Sequence, residues 1–120
     1  GADSCFFDTL YTDEAQRRFT LDMLYALIMG RKTEKKEGSY TTYLFEKGKE
    51  KILKKVGEEC AEVIIGAMKD SRDETLYEIS DLAYHVLVLM AETGITPADV
   101  RGELAGRHVV DTKVKQEPMG

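Results

Sequence analysis

The sequence is poor in cysteine and proline and has no long apolar run. Its two cysteines, Cys5 and Cys60, form no CxxC pair, and such a pair in a 120-residue chain is not a disulfide framework, so a reducing, cytoplasmic setting is expected. No stretch approaches the roughly 20 apolar residues that span a bilayer, and no basic segment leads into an apolar one at the start. Neither a membrane partner nor export is expected. A basic stripe is missing too: 22 acidic against 17 basic residues leave a formal charge of −5, which argues against nucleic acid as a partner. An anionic ligand must then be met by a few local Lys or Arg, or by a metal. With only two prolines, 42% hydrophobic and 32% charged residues, the composition argues against extended disorder and for one soluble helical domain.

What is present is helical punctuation. Thr12 is an N-cap candidate followed by Asp13 and Glu14, and Phe19, Met23, Leu24, Leu27 and Ile28 recur at three- and four-residue steps. One helix is expected from Thr12 to near Gly30. The run RKTEKKEGS, residues 31–39, reads as an exposed connection. Ser39 or Thr41 then caps a short helix from Thr42 to Lys47, and Gly48 separates it from a long helix ending near Met68. Ser71-Arg72-Asp73-Glu74 has the form of a capping box and opens a third main helix that stops at Gly94. Thr96-Pro97-Ala98-Asp99 opens a short last helix that fades near Gly106. No strand pattern, repeat or low-complexity segment is visible. The expected fold is all-α, an antiparallel helical bundle. Residues 12–108 form its domain; residues 1–11 are read as an extension without function (an expression remnant, a processed end or a disordered one), and 109–120 as a polar tail.

The stretch VGEECAEVIIGA, residues 56–67, sets three glutamates among apolar and small residues. At roughly 100° per residue, a buried stripe centred on Val56 takes in Ile52, Leu53, Cys60, Val63, Ile64 and Ala67, with Cys60 as inert packing. Glu58, Glu59 and Glu62 then share one flank, joined by Lys51 and Lys55. On the next helix a stripe centred on Ile79 takes in Leu76, Leu82, Ala83, Val86, Leu87 and Met90, and Glu78 and Asp81 share a flank with His85 between them in angle. A short turn makes the two helices antiparallel, so the two acidic flanks meet. Carboxylates gathered in this way raise one another's pKa unless a cation lies between them, and an all-oxygen donor set suits Mg²⁺ or Mn²⁺. Mg²⁺ in such a site leaves places for water and substrate phosphates, which points to phosphoryl chemistry. Ile65, Met68, Tyr84 and Val88 fall opposite the stripes, a second apolar face that calls for self-association.

The pairing of EExxE (58–62) with ExxD (78–81) resembles the MazG-like all-α nucleoside triphosphate pyrophosphohydrolase superfamily. Within it, GSYTTYLFEKG (38–48), KKVGEECAEV (54–63) and EISDLAYHVLVLM (78–90) are similar to the phosphoribosyl-ATP pyrophosphatase family of histidine biosynthesis, over about Phe19 to His108. The resemblance implies Mg²⁺-dependent hydrolysis of phosphoribosyl-ATP to phosphoribosyl-AMP and pyrophosphate by a homodimer or higher homo-oligomer. It implies Glu59, Glu62, Glu78 and Asp81 as metal ligands, with Glu58 as a further ligand or the group that orients water. Some relatives are fused to a cyclohydrolase, for which this chain has no room; the stand-alone form is expected. The presence of Cys60 inside the motif is a small departure.

On this reading Glu58 or Glu62 accepts the proton of the attacking water. Lys51 and Lys55 meet the outer phosphates, with Lys47 and Arg31 reaching from the loop side and Ser39 and Tyr40 facing the substrate. Plainer readings stand beside these. Lys51 and Lys55 have the spacing of ordinary helix salt bridges, Ser39 that of a cap, and His85 is either a partner of a metal-bound carboxylate or, the favoured reading, a satisfied core residue. The other functions open to the chain are a (d)NTP pyrophosphohydrolase with the same metal site and a non-catalytic helical interaction module.

Overall fold

The computed structural model describes residues 13–107, and every regular element among them is an α-helix. In chain order these are α1 (Asp13–Arg18), α2 (Leu21–Thr33), α3 (Tyr40–Lys47), α4 (Lys49–Met68), α5 (Arg72–Thr93) and α6 (Pro97–Arg107). The all-α expectation is met, with α4 and α5 packed as an antiparallel hairpin and α2 and α3 laid across one end of it. The Thr12 cap, the extension and the tail lie outside the described residues.

The single helix expected from Thr12 to Gly30 is instead two. Thr20 has extended backbone (φ −120°, ψ 162°) and its hydroxyl accepts the Met23 amide at 3.1 Å, so it caps a fresh helix where periodicity alone suggests continuity. The restart also splits the expected stripe. Ile28 is buried and Leu24 packs beside it, whereas Phe19, Met23 and Leu27 stay about half exposed. α2 runs past Gly30 to Thr33, whose hydroxyl donates back to the Met29 and Gly30 carbonyls.

The remaining boundaries follow local chemistry. Ser39 Oγ accepts the Thr42 amide at 3.2 Å, so α3 starts at Tyr40, two residues earlier than expected. Gly48 takes φ 91°, ψ −174°, a conformation open to glycine alone, and so separates α3 from α4. Ser71 Oγ accepts the Glu74 amide at 3.2 Å, but the Glu74 carboxylate turns to Lys69 (3.4 Å). Gly94 ends α5 in the left-handed region, and Thr96 and Asp99 exchange side-chain and amide hydrogen bonds at 3.1 and 2.9 Å to open α6.

The core is Ile28, Leu44, Ile52, Leu87, Val88, Met90 and Ala91. On α4 the buried positions are Ile52, Glu59 and Gly66, with Val56 and Val63 half-buried; Leu53, Cys60, Ile64 and Ala67 are exposed. The true stripe is therefore turned about 40° from the Val56-centred one, towards Glu59. Gly66 marks the contact on this side: a Cβ built there would lie 3.4 Å from Glu78 Cγ and 3.6 Å from the Glu74 carbonyl, in ordinary van der Waals contact with α5. On α5, Ile79 and Leu76 are about half exposed, while Val88, expected to face outwards, is fully buried and Tyr84 half-buried. α2 and α3 cover a side of α5 that a two-helix reading leaves to solvent. Lys32 Nζ donates to the Ala91 carbonyl at 2.9 Å and Arg101 grips Asp22 with bonds of 2.9 and 3.0 Å, tying α2 to α5 and to α6. No helix among the described residues is long and apolar enough to cross a membrane.

Candidate metal and phosphate site

The hairpin packs with the buried Gly66 beside Glu74 and Glu78, and in this register α5 carboxylates meet those of α4. Glu58, Glu59, Glu62, Glu78 and Asp81 all line one cavity of about 380 Å³, together with Lys55 and Tyr77. Glu59 lies at its floor, 5% exposed, with Oε1 making no hydrogen bond. The rotation of the stripe thus places this glutamate inside the buried face, not beside it.

Burial pushes the Glu59 carboxyl up to about 7, helped by a hydrogen bond and repulsion from Asp81 and by the charge of Glu78, against the opposing pull of Lys55. Lys55 Nζ sits 3.3 Å from Glu58 Oε1, and that bond raises the lysine pKa. Glu59, Asp81 and His85 each bring one ligand-capable atom within 4.8 Å of the others. A buried oxygen without a partner is costly, and a carboxylate held near neutrality by its neighbours would ionise readily beside a cation. The residues present therefore fit a hard divalent cation bound by oxygen.

His85 is 3% exposed. Its Nδ1 lies 2.8 Å from the Asp81 main-chain carbonyl and 3.4 Å from Asp81 Oδ1, and its Nε2 lies 3.0 Å from the Tyr40 hydroxyl. It is both a core residue and a neighbour of the acidic cluster.

The other expected ligand-binding residues do not gather here. Ser39 and Tyr40 line a larger cleft of about 730 Å³ with Lys35, Lys36 and Tyr43, where Ser39 is engaged as the cap of α3. Lys47 and Lys51 hold their ammonium groups 5.8 and 6.0 Å from the centre of the Tyr43 ring, and Arg31 lies in the last turn of α2. Of the four cations expected at the phosphates, Lys55 alone lines the acidic cavity. Sequence reasoning missed Tyr77, which sits four residues before Asp81 and hence on its face, and the lysines of the KTEKK run.

An all-helical protein with a carboxylate-lined cavity in the seam of an antiparallel hairpin is the class that the fold and cavity define. The family model described as phosphoribosyl-ATP pyrophosphohydrolase matches residues 21–108, and the chain belongs to that family. It is 48% identical over 98 residues to the phosphoribosyl-ATP pyrophosphatase of Limosilactobacillus fermentum, covering 82% of this chain and 92% of that protein. It is 58% identical over 88 residues to the protein of that name from Listeria innocua, covering 73% and 84%. Identity is 50% over 108 residues to the histidine biosynthesis bifunctional protein HisIE of Caldanaerobacter subterraneus, covering 90% of this chain but 53% of that one. The chain thus spans about half the length of its bifunctional relatives.

Proposed function

We propose that residues 12–108 hydrolyse phosphoribosyl-ATP to phosphoribosyl-AMP and pyrophosphate in the cytoplasm, with Mg²⁺ or Mn²⁺ as cofactor. Family membership supports the substrate, and one observation carries the chemistry: the buried, unpartnered Glu59 Oε1 in a cavity with four further carboxylates. Glu59, Glu62, Glu78 and Asp81 are the residues that would hold the ion, which when bound supplies charge neutralisation for a leaving pyrophosphate and a more acidic water. Glu58 is occupied by Lys55, whereas Glu62 makes no ion pair among the described residues, so Glu62 is the carboxylate we assign as proton acceptor. Lys55, which lines the same cavity, would leave Glu58 for a phosphate oxygen in this reading.

The active form in this reading is a homodimer. Its support is the exposed apolar surface at the hairpin tip, where Ile64, Met68, Leu76 and Tyr77 are 64, 78, 52 and 67% exposed, and an elongated shape of 57 × 32 × 29 Å.

The test is pyrophosphate release from phosphoribosyl-ATP beside a panel of NTPs and dNTPs, with Mg²⁺ and with chelator. Release from phosphoribosyl-ATP alone, abolished by chelator, is expected. Glu59→Gln should lower kcat about 1,000-fold, some 4 kcal/mol of barrier, while the helical circular dichroism is kept. Release from a panel nucleotide only would retain the site and reject the substrate; release unaffected by chelator would reject the metal.

A further inference from the structure

We propose that Tyr40 is a positioning residue for Asp81, acting through His85, and not a substrate contact. The proposal rests on the reading of Asp81 as a carboxylate that faces the cation.

Hydrogen-bond chemistry orders the chain of contacts. The main-chain carbonyl of Asp81 can only accept, so His85 Nδ1, 2.8 Å away, carries the ring proton. Nε2 of a neutral imidazole is then a bare acceptor, and the Tyr40 hydroxyl, 3.0 Å away, must donate to it. Both ring nitrogens are thereby committed. For all its closeness to Glu59 and Asp81, His85 has no lone pair left to offer an ion, and its Nδ1–H instead faces both the carbonyl of Asp81 and, at 3.4 Å, Oδ1 of its carboxylate.

The accept-only Asp81 carbonyl selects this tautomer, since a proton moved to Nε2 would leave the Nδ1 lone pair facing two oxygens of Asp81, and the Tyr40 hydroxyl fixes the orientation of the ring that carries it. Neighbouring rings hold Tyr40 in place: it stacks on Tyr43 and Tyr84 at 6.1 and 6.2 Å and meets the His85 edge at 5.7 Å. Tyr84 packs against His85 as well, at 4.9 Å, but its own hydroxyl is paired with that of Thr41. It therefore shares the packing and lacks the hydrogen bond, which makes Tyr84→Phe the matched control.

The experiment uses the full chain, whose two histidines make ¹⁵N imidazole spectra simple to assign. In the metal-free protein His85 should show the Nδ1–H tautomer, and Tyr40→Phe should keep it while shifting the Nε2 resonance, which loses its hydrogen bond. Titrated with Mn²⁺ and followed by electron paramagnetic resonance, Tyr40→Phe should bind roughly tenfold more weakly, the size typical of losing a group behind a metal ligand. On phosphoribosyl-ATP it should lose kcat with KM changed less than about twofold. His85→Asn, which keeps a donor near the Nδ1 position, should retain more Mn²⁺ affinity than His85→Ala, and Tyr84→Phe should leave tautomer and Mn²⁺ affinity unchanged. An unaltered Nε2 resonance and Mn²⁺ affinity in Tyr40→Phe would overturn the proposal, as would a rise in KM alone or equal losses in Tyr84→Phe. The spectra and the Mn²⁺ titration use no substrate, so an error in the substrate assignment would leave them untouched.

Discussion

The two ends of the α4–α5 hairpin are built from similar side chains and meet different fates. At one end Ile52, Leu87, Val88 and Ala91 are closed in by Leu44 of α3 and Ile28 of α2. At the other, Ile64, Ile65, Met68, Leu76 and Ile79 stand about half exposed or more. Among the described residues, only the turn through Asp70, with φ 57°, caps this tip. Apolar spacing along a helix encodes that a face is to be buried; it does not encode by what. The carboxylates lie between the two regimes, and they need both. The packed seam gives Glu59 its burial, and the open flank gives a ligand its way in.

The largest test of this contrast is a matched truncation. Leu44→Ala, in the closed end, should destabilise the chain by about 4 kcal/mol at any protein concentration, read from urea denaturation. Ile64→Ala should act mainly on self-association, seen as a higher dissociation constant in sedimentation. An equal, concentration-independent loss for both would break the comparison.

Next in size is the seam itself. The Glu59 pKa is raised from 4.5 to about 7 by burial and by Asp81, so the metal-free native state keeps a proton that the unfolded chain gives up. Stability from this group is full below pH 4.5 and is lost as pH rises through about 7, by up to about 3 kcal/mol. Chelated protein should therefore melt at lower temperature at pH 8 than at pH 5.5. Saturating Mg²⁺ should reduce that drop, and Glu59→Gln should remove it.

The smallest effects compare two glycines, one at each end. Gly48→Ala forces a side chain into φ 91° and should cost about 2 kcal/mol. At Gly66→Ala the new Cβ meets Glu78 Cγ at 3.4 Å, ordinary contact, and better helix propensity should offset it to within about 1 kcal/mol. Thermal melts of the two variants side by side decide the order.

Much of the fold was legible because helix ends are local. Ser39, Ser71, Gly94 and the Thr96–Asp99 pair announce boundaries through hydrogen bonds made within a few residues. The break at Thr20 was missed for a related reason: a hydroxyl able to cap competes with a periodicity that runs through it, and the sequence does not rank the two. The acidic residues were legible as a set, since EExxE and ExxD at helical spacing identify faces. Their arrangement was not. That Glu59 would lie in the buried stripe depends on how α4 is rotated against α5, and that Tyr40 would reach His85, 45 residues away, depends on where α3 packs beside α5.

By itself the sequence determined where helices start and stop, which residues share a face, and that carboxylates of two neighbouring helices meet. Those properties follow from hydrogen bonds and angles within one element. The tertiary structure alone decided which apolar face is covered, which glutamate loses its water, and which hydroxyl fixes the imidazole behind Asp81. Each of those depends on the rotation and approach of separate helices, and a shift of about 40° about one axis is enough to change the answer.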